Sequence, residues 1–203
     1  MKTTQKIAAI LAFSIISLPS VHAQTLTAFK ESYSLEAKKA YKPAIAALKK
    51  TNDDSYEVNL RQGWLHYLAG LLPESVTYYE KAIAQRPTSI EARLGYALPA
   101  SALNHWDQVL EQYQAVLKLD PNHTVTNYRM GLVFYYRKDY KTAEGYFQKV
   151  LKLYPFDHDS LLMLGWTKYL LGQSNEARGL FNRALLNTPT DSSAVQGLAA
   201  LKQ

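Results

Sequence analysis

The side chains that could do chemistry in this chain are few and scattered. No H-E-x-x-H motif is present, and no second metal ligand stands at helical spacing from any of the histidines beyond the N-terminal segment: His66, His105, His123 and His158. A lone histidine on a helix, such as His66, is expected to be packed or hydrogen-bonded. The chain has no cysteine, no G-x-S-x-G and no glycine-rich phosphate loop. The sequence therefore predicts a non-enzyme with no cofactor and no metal.

The carboxylates give no paired acid and base either. Glu74, Glu80, Asp107, Glu111 and Glu144 are spread along the sequence. We expect them to lie solvated on outer helix faces. The net charge is +6 at pH 7 without any block of like charge. A mild basic excess favours solubility and weak attraction to acidic partners, and no nucleic acid is expected as a partner.

The N-terminal residues 1–23 have the pattern of an export signal. Lys2 and Lys6 precede an apolar run at 7–18, and Val21-His22-Ala23 resembles a cleavage site. The run is too short for a finished membrane helix, which needs about 20 residues. Cleavage after Ala23 and a periplasmic or secreted location are predicted, with no stable membrane span afterwards. An uncut signal acting as an anchor is the alternative.

The elements that must carry any site follow a fixed period. Four prolines stand 34 residues apart, at Pro87, Pro121, Pro155 and Pro189. A period of this length is typical of stacked helix pairs. The same spacing recurs at four sets of positions: large rings at Tyr79, Tyr113, Phe147 and Phe181; aliphatic residues at Ile83, Leu117, Leu151 and Leu185; small side chains at Ser75, Val109, Ala143 and Ala177; and Gly63, Ala97, Gly131 and Gly165.

The repeated glycines predict close packing of two helices. Glycine costs about 1 kcal/mol in a helix interior relative to alanine, so its recurrence at one position needs a packing reason. We expect the helix backbones to approach there, with a large ring filling the adjacent space. Gly70 and Gly172 are expected at turns, Pro73 at a helix start, and Thr88-Ser-Ile-Glu91 as a capping box.

These positions resemble the tetratricopeptide repeat family. Gly131, Tyr140, Ala143, Phe147 and Pro155 fit its degenerate consensus. The block at 90–123 fits less well, and Pro99 should kink or break its first helix. The resemblance implies an all-α, right-handed α-solenoid (a superhelix of stacked antiparallel helix pairs). We divide the chain into an atypical helix pair at 24–55, four units at 56–89, 90–123, 124–157 and 158–191, and a C-terminal capping helix at 192–203.

In this family the first helix of each unit lines the concave wall. The resemblance then implies an aromatic groove that binds a partner, formed by Trp64, Tyr67, Tyr128, Tyr135, Tyr136, Trp166 and Tyr169. The alternative is that several of these rings only pack between helices. Trp106 and Tyr140 are expected in the core. The Lys, Asn and Arg positions of the family's carboxylate clamp hold residues such as Leu60, Trp64 and Leu132, so that clamp is absent. Arg61, Arg93 and Arg129 on successive first helices could still meet anionic groups, although a solvated rim is the favoured role.

The predicted function is a non-catalytic scaffold or adaptor of the cell envelope that binds a protein or peptide segment in this groove. The alternative is an adaptor for polysaccharide or peptidoglycan, in which the same rings stack on sugars.

Overall fold

The computed structural model describes residues 21–202 and shows eleven α-helices and no strand in that range. Most of the predicted signal, residues 1–20, lies outside the described residues. Between residues 21 and 202, every helix is too short or too polar to span a bilayer. The chain forms two compact units, divided after Asp54.

The N-terminal unit is a helix pair, α1 (Val21–Ala37) and α2 (Tyr41–Lys49). The apolar face of α2 is buried and carries Ala44, Ile45, Ala47 and Leu48. Thr25 at the start of α1 donates a hydrogen bond of 2.8 Å to the Asp53 carboxylate beyond α2. Side-chain packing and this bond hold the two helices together.

The C-terminal unit contains nine helices within residues 55–202. They are α3 (Tyr56–Leu68), α4 (Leu72–Gln85), α5 (Ile90–Ala102), α6 (Trp106–Leu119), α7 (Thr124–Tyr136), α8 (Tyr140–Leu153), α9 (His158–Leu170), α10 (Ser174–Asn187) and α11 (Ser192–Ala200). The first helices α3, α5, α7 and α9 each pack against the helix that follows. Their starting residues are 34 apart, as the proline spacing predicts.

The residues that cap the helices and form the turns recur with the same period, because each helix end is stabilised by residues next to it in the sequence. The first helices α5, α7, α9 and α11 begin after a residue whose side chain accepts a backbone N–H: Ser89, His123, Asp157 and Asp191. The predicted capping box was one residue early, since Ser89 and not Thr88 caps α5. The turns inside the pairs each need one left-handed residue: Gly70, Asn104, Lys138 and Gly172.

The large ring of each second helix fills the space left by a glycine, as predicted. Tyr79, Phe147 and Phe181 are buried and lie against Gly63, Gly131 and Gly165. A Cβ added at Gly131 would stand only 2.5 Å from the Phe147 ring. Helix pairs can pack this closely because no side chain separates them.

The second helix pair departs from this rule. Ala97 replaces the glycine opposite Tyr113, and α5 and α6 pack less closely than the other three pairs of α3 to α10. Pro99 is buried inside α5, and the helix continues through it to Ala102. The predicted break is therefore absent. A proline there removes one helical hydrogen bond, and the packing of its ring in the core offsets that cost.

First helices of neighbouring pairs also contact each other. Such contacts join α3 to α5, α7 to α9, and α9 to α11, whereas second helices of neighbouring pairs do not pack together. The first helices are therefore the more closely spaced layer of the C-terminal unit. The pair α5 and α7 is the exception and does not pack closely.

Candidate partner-binding face

Three of the seven aromatic residues predicted for binding lie on α7. Tyr136 is 75% exposed, and Tyr128 and Tyr135 are half-buried. Tyr135 contacts the rings of Tyr136 and Tyr140 edge-on, with centroids 5.5 and 5.6 Å away. These contacts fix the Tyr135 ring while leaving most of Tyr136 open to a partner. Burial first, then the Tyr140 and Tyr136 phenols, raise the pKa of Tyr135.

One side of α7 borders a cleft of about 510 Å³, which we call the junction cleft. It is bounded by α5, α6 and α7, and its lining residues are Ser101, Trp106, Tyr113, Arg129, Leu132, Val133, Tyr136 and Arg137. Arg129, Leu132, Val133 and Tyr136 have the spacing of one helix face. Of the described residues that line it, none is acidic.

A second cleft of about 440 Å³ lies between α7 and the start of α9. Its lining includes Tyr128, Val125, Asp157 and Asp159. Burial, and then the charges of Asp159 and Asp157, raise the pKa of Tyr128 to about 12. The phenol therefore stays neutral and can donate a hydrogen bond to a ligand at any physiological pH. Arg129 and Leu132 line both clefts, so the two lie side by side along α7.

The remaining predicted residues form two separate pairs. Trp64 and Tyr67 on α3 contact each other at 5.9 Å between centroids, and both are half-buried. Trp166 on α9 lies edge-on to the buried Phe181 at 5.2 Å and donates its indole N–H to Ser193 of α11 at 2.9 Å. Trp166 thus packs the C-terminal helix. Tyr169 contacts Trp166 and remains partly exposed.

Two predictions about individual residues were wrong. Trp106 is 42% exposed, not in the core, because it stands at the first position of α6, where the junction cleft leaves it uncovered. Glu144 is only 6% exposed, not solvated, because α9 covers it and supplies a buried counter-charge from Lys168. Tyr140 is half-buried against Tyr135.

Lys168 and Glu144 form the centre of a charged cluster between α8, α9 and α10. The Lys168 ammonium lies 2.7 Å from Glu144 and 2.6 Å from Glu176, and Lys141 lies 3.1 Å from Glu144. Burial by itself raises the pKa of Glu144, but the hydrogen bonds from Lys168 and Lys141 outweigh it and hold the pKa below its usual value. Burial lowers the pKa of Lys168, and its two carboxylate partners raise it further than burial lowers it. The cluster joins two repeats and has the chemistry of a structural ion-pair network.

The histidines are used for structure. His66 is buried, its Nδ1 lies 2.7 Å from the Gln62 carbonyl, and its ring contacts Tyr78, as a packed histidine should. His158 stands between the carboxylates of Asp159 and Asp191, at 3.2 and 3.5 Å. Within residues 21–202, no three His, Cys, Asp or Glu side chains converge on a point where a metal ion could sit.

Sequence reasoning named Arg129 as a possible contact for anionic groups but favoured a solvated rim for it, and it did not single out Arg137. Arg129 and Arg137 line the junction cleft together with Trp106. A signal existed in the repeat: Arg129 occupies the register that holds Gly95 one period earlier. Aligning the units at that position would have marked the substitution.

Stacked helix pairs with exposed rings on the first-helix layer define a helical-repeat scaffold for protein–protein interaction. Two models of the tetratricopeptide repeat family match residues 34–90 and 135–201. This chain belongs to that family, whose members are generally non-catalytic scaffolds.

Solved structures support the same fold. A tetratricopeptide repeat protein from Parabacteroides merdae is 22% identical with a TM-score of 0.78, and the match covers 88% of this chain and 72% of that one. MamA from Desulfovibrio magneticus is 18% identical with a TM-score of 0.72, covering 83% and 98%. At such identities the likeness shows the fold alone. No curated protein matches the chain significantly in sequence.

Proposed function

We propose that this protein is exported to the cell envelope and binds a segment of a partner protein on the aromatic face of α7. The observation that supports this best is the exposure of Tyr136 beside two clefts that share α7 as a wall. Tyrosine supplies a large contact area at low entropic cost and is enriched where interfaces concentrate their binding energy. The export proposal rests on the pattern of residues 1–23.

The glycan alternative has less support in the geometry. Sugar stacking needs a free ring face, and Trp166 is engaged edge-on with Phe181 and by its N–H with Ser193. The junction cleft instead combines apolar walls with two arginines, a combination suited to a peptide.

The binding proposal is tested by cross-linking in intact cells and identification of the captured protein. Tyr136→Ala removes an exposed ring and should reduce capture of that protein at least about tenfold, because an anchor residue contributes roughly 2 kcal/mol. Tyr135→Ala combined with Tyr136→Ala should abolish it. The matched control is Tyr33→Ala with Tyr154→Ala, since both rings are exposed and belong to α1 and to the end of α8 rather than to α7. Equal capture by the Tyr136→Ala variant and the control would show that α7 is not the site.

Export is tested separately by mass spectrometry of the protein from fractionated cells. The proposal expects a mature chain that begins at Gln24 in the envelope fraction. Recovery of the full-length chain from the cytoplasm would contradict export and leave the binding proposal intact.

A further inference from the structure

One register of the repeat controls how tightly successive pairs join. Sixteen residues after the large rings at 79, 113, 147 and 181 stand Gly95, Arg129, Met163 and Gly197. At the first and last of these the ring presses on the next first helix. A Cβ at Gly95 would lie 2.2 Å from Tyr79, and one at Gly197 would lie 2.4 Å from Phe181. At these two positions glycine lets the ring pack directly against the next first helix, and at Met163 the helices α8 and α9 also pack closely.

Arg129 occupies this register at the middle joint. Its guanidinium lies beside Tyr113, with Nη1 3.4 Å from the phenol oxygen. Of the four residues in this register only Arg129 is charged, and the two helices that meet at Arg129 are the ones that pack least closely. Consistent with this, α6 and α7 contact each other much less than α4 with α5 or α8 with α9. The junction cleft is the space that results.

The cleft offers two cationic groups that no buried carboxylate among the described residues holds, although Asp157 and Asp159 line the neighbouring cleft that Arg129 also borders. The only hydrogen bond of Arg129 among the described residues is the long one to Tyr113. Arg137 reaches Asp107 at 3.5 Å, and the Asp107 side chain is 99% exposed. An exposed pair at this distance contributes little and is readily exchanged for a better partner. Arginine binds carboxylates strongly when the site excludes water.

The spacing along α7 sets the form of a matching ligand. Arg129 lies on α7 and Arg137 is the residue that caps its C-terminal end, eight residues later, which corresponds to about 12 Å along the helix axis. Apolar walls from Trp106, Leu132 and Tyr136 lie around them. Two residues four positions apart in an extended peptide are separated by about 13 Å.

We propose that the junction cleft binds an extended acidic segment of the partner protein, with two carboxylates four residues apart on Arg129 and Arg137 and an apolar side chain between them. This inference rests on the proposed function and specifies the chemistry of the partner. The apolar side chain lies against Trp106 and Tyr136. The net charge of +6, which falls to +4 when Lys2 and Lys6 are removed with the signal, favours approach of such a segment at low salt.

The test is an NMR titration of the purified chain with two capped peptides. The acidic probe is acetyl-Gly-Glu-Leu-Phe-Leu-Glu-Gly-amide, and its counterpart has glutamine at both glutamate positions. We expect the acidic probe to bind at least about tenfold more tightly at about 50 mM salt, with a smaller ratio at about 300 mM. The amide shifts should centre on Trp106 and on the C-terminal half of α7.

The variant Arg129→Gln with Arg137→Gln should bind both peptides equally. Arg137→Gln alone changes an exposed position and should lower the preference in the same direction, whatever the stability of the double variant. The control Lys118→Gln with Lys152→Gln removes the same charge from exposed helix ends outside the cleft and should keep the preference.

Several results would overturn the inference: no binding of either peptide, equal binding of both, shifts confined to other helices, or a preference that survives loss of both arginines. Equal binding that is lost in Tyr136→Ala would overturn only the acidic specificity and would leave the aromatic site of the proposed function standing. The same conclusion would follow if Tyr136→Ala abolished capture of the envelope partner while the two peptides bound the unmodified chain equally.

Discussion

Replacing Gly131 by alanine tests the packing rule on which the helix pairs depend. An added Cβ would lie 2.5 Å from Cε1 of Phe147 and 2.8 Å from Cδ1 and Cζ. Phe147 is fully buried, so its ring has no free space to move into. Overpacking of a core in this way destabilises the folded state by about 1–3 kcal/mol, whereas the higher helix propensity of alanine stabilises it by about 1 kcal/mol.

Gly145→Ala on α8 is the matched control, because nothing lies within 4 Å of a Cβ at that exposed position. Both changes put alanine inside a helix, so the propensity gain cancels in their difference. We expect Gly145→Ala to raise the free energy of unfolding by up to about 1 kcal/mol. Gly131→Ala should lie about 1–3 kcal/mol below it.

Urea unfolding followed by circular dichroism measures both variants, and comparable m-values make the midpoints comparable. Equal midpoints for the two alanine variants would refute the packing argument. Gly131→Leu adds a larger side chain at the same point and should prevent folding of this region. The natural Ala97 fits the rule, since its helix pair is the loosely packed one.

Further predictions concern the turns and the charged cluster. Lys138 has a left-handed backbone with φ +63°, at the repeat position that glycine occupies in Gly70 and Gly172. Because glycine adopts this conformation without strain, Lys138→Gly should stabilise the protein by up to about 1 kcal/mol. A lower melting temperature would contradict this. Lys168→Met leaves the buried Glu144 with the exposed Lys141 and the Gln148 side-chain amide as its partners, and should cost about 3 kcal/mol in urea unfolding. Adding Glu144→Leu should recover part of the loss, and a further loss of equal size would refute the coupling. Because the folded pKa of Glu144 lies below the usual 4.5, its contribution is complete above that pH and declines as pH falls through the folded pKa. Glu144→Gln should therefore flatten the acid side of the stability profile, and an unchanged profile would contradict the assignment.

Contacts between residues of the same repeat could be predicted from the sequence. Gly131 and Phe147 lie 16 residues apart, and their packing repeats in the last pair, so the period itself reveals it. The caps and turns are likewise local: the turns predicted at Gly70 and Gly172 are confirmed, and the one predicted cap, that of α5, was misplaced by one residue.

Residues whose environment is set by a neighbouring repeat were harder to predict. Glu144 looks like a surface carboxylate until Lys168, 24 residues later, is placed over it. Trp106 looks like a core residue in the sequence, but whether it is buried depends on how far α7 stands from α6. That separation depends on Arg129, which belongs to the next repeat, and periodicity within one unit carries no information about it.

Helix α11 has the features of the first helix of a repeat. Asp191 caps α11 as Asp157 caps α9, and Gly197 receives the ring of Phe181. A duplicate of residues 158–191 inserted after Asp191 would begin behind an aspartate cap. It would place its own ring against Gly197, and the original Phe181 would meet a methionine, as Phe147 already does with Met163. Arg178 lies one period after Glu144, the carboxylate that pairs with Lys168, so the copy of Lys168 would meet an arginine in its place. An Arg178→Glu change should therefore accompany the insertion. The array could then be lengthened by one period with the terminal helix unaltered.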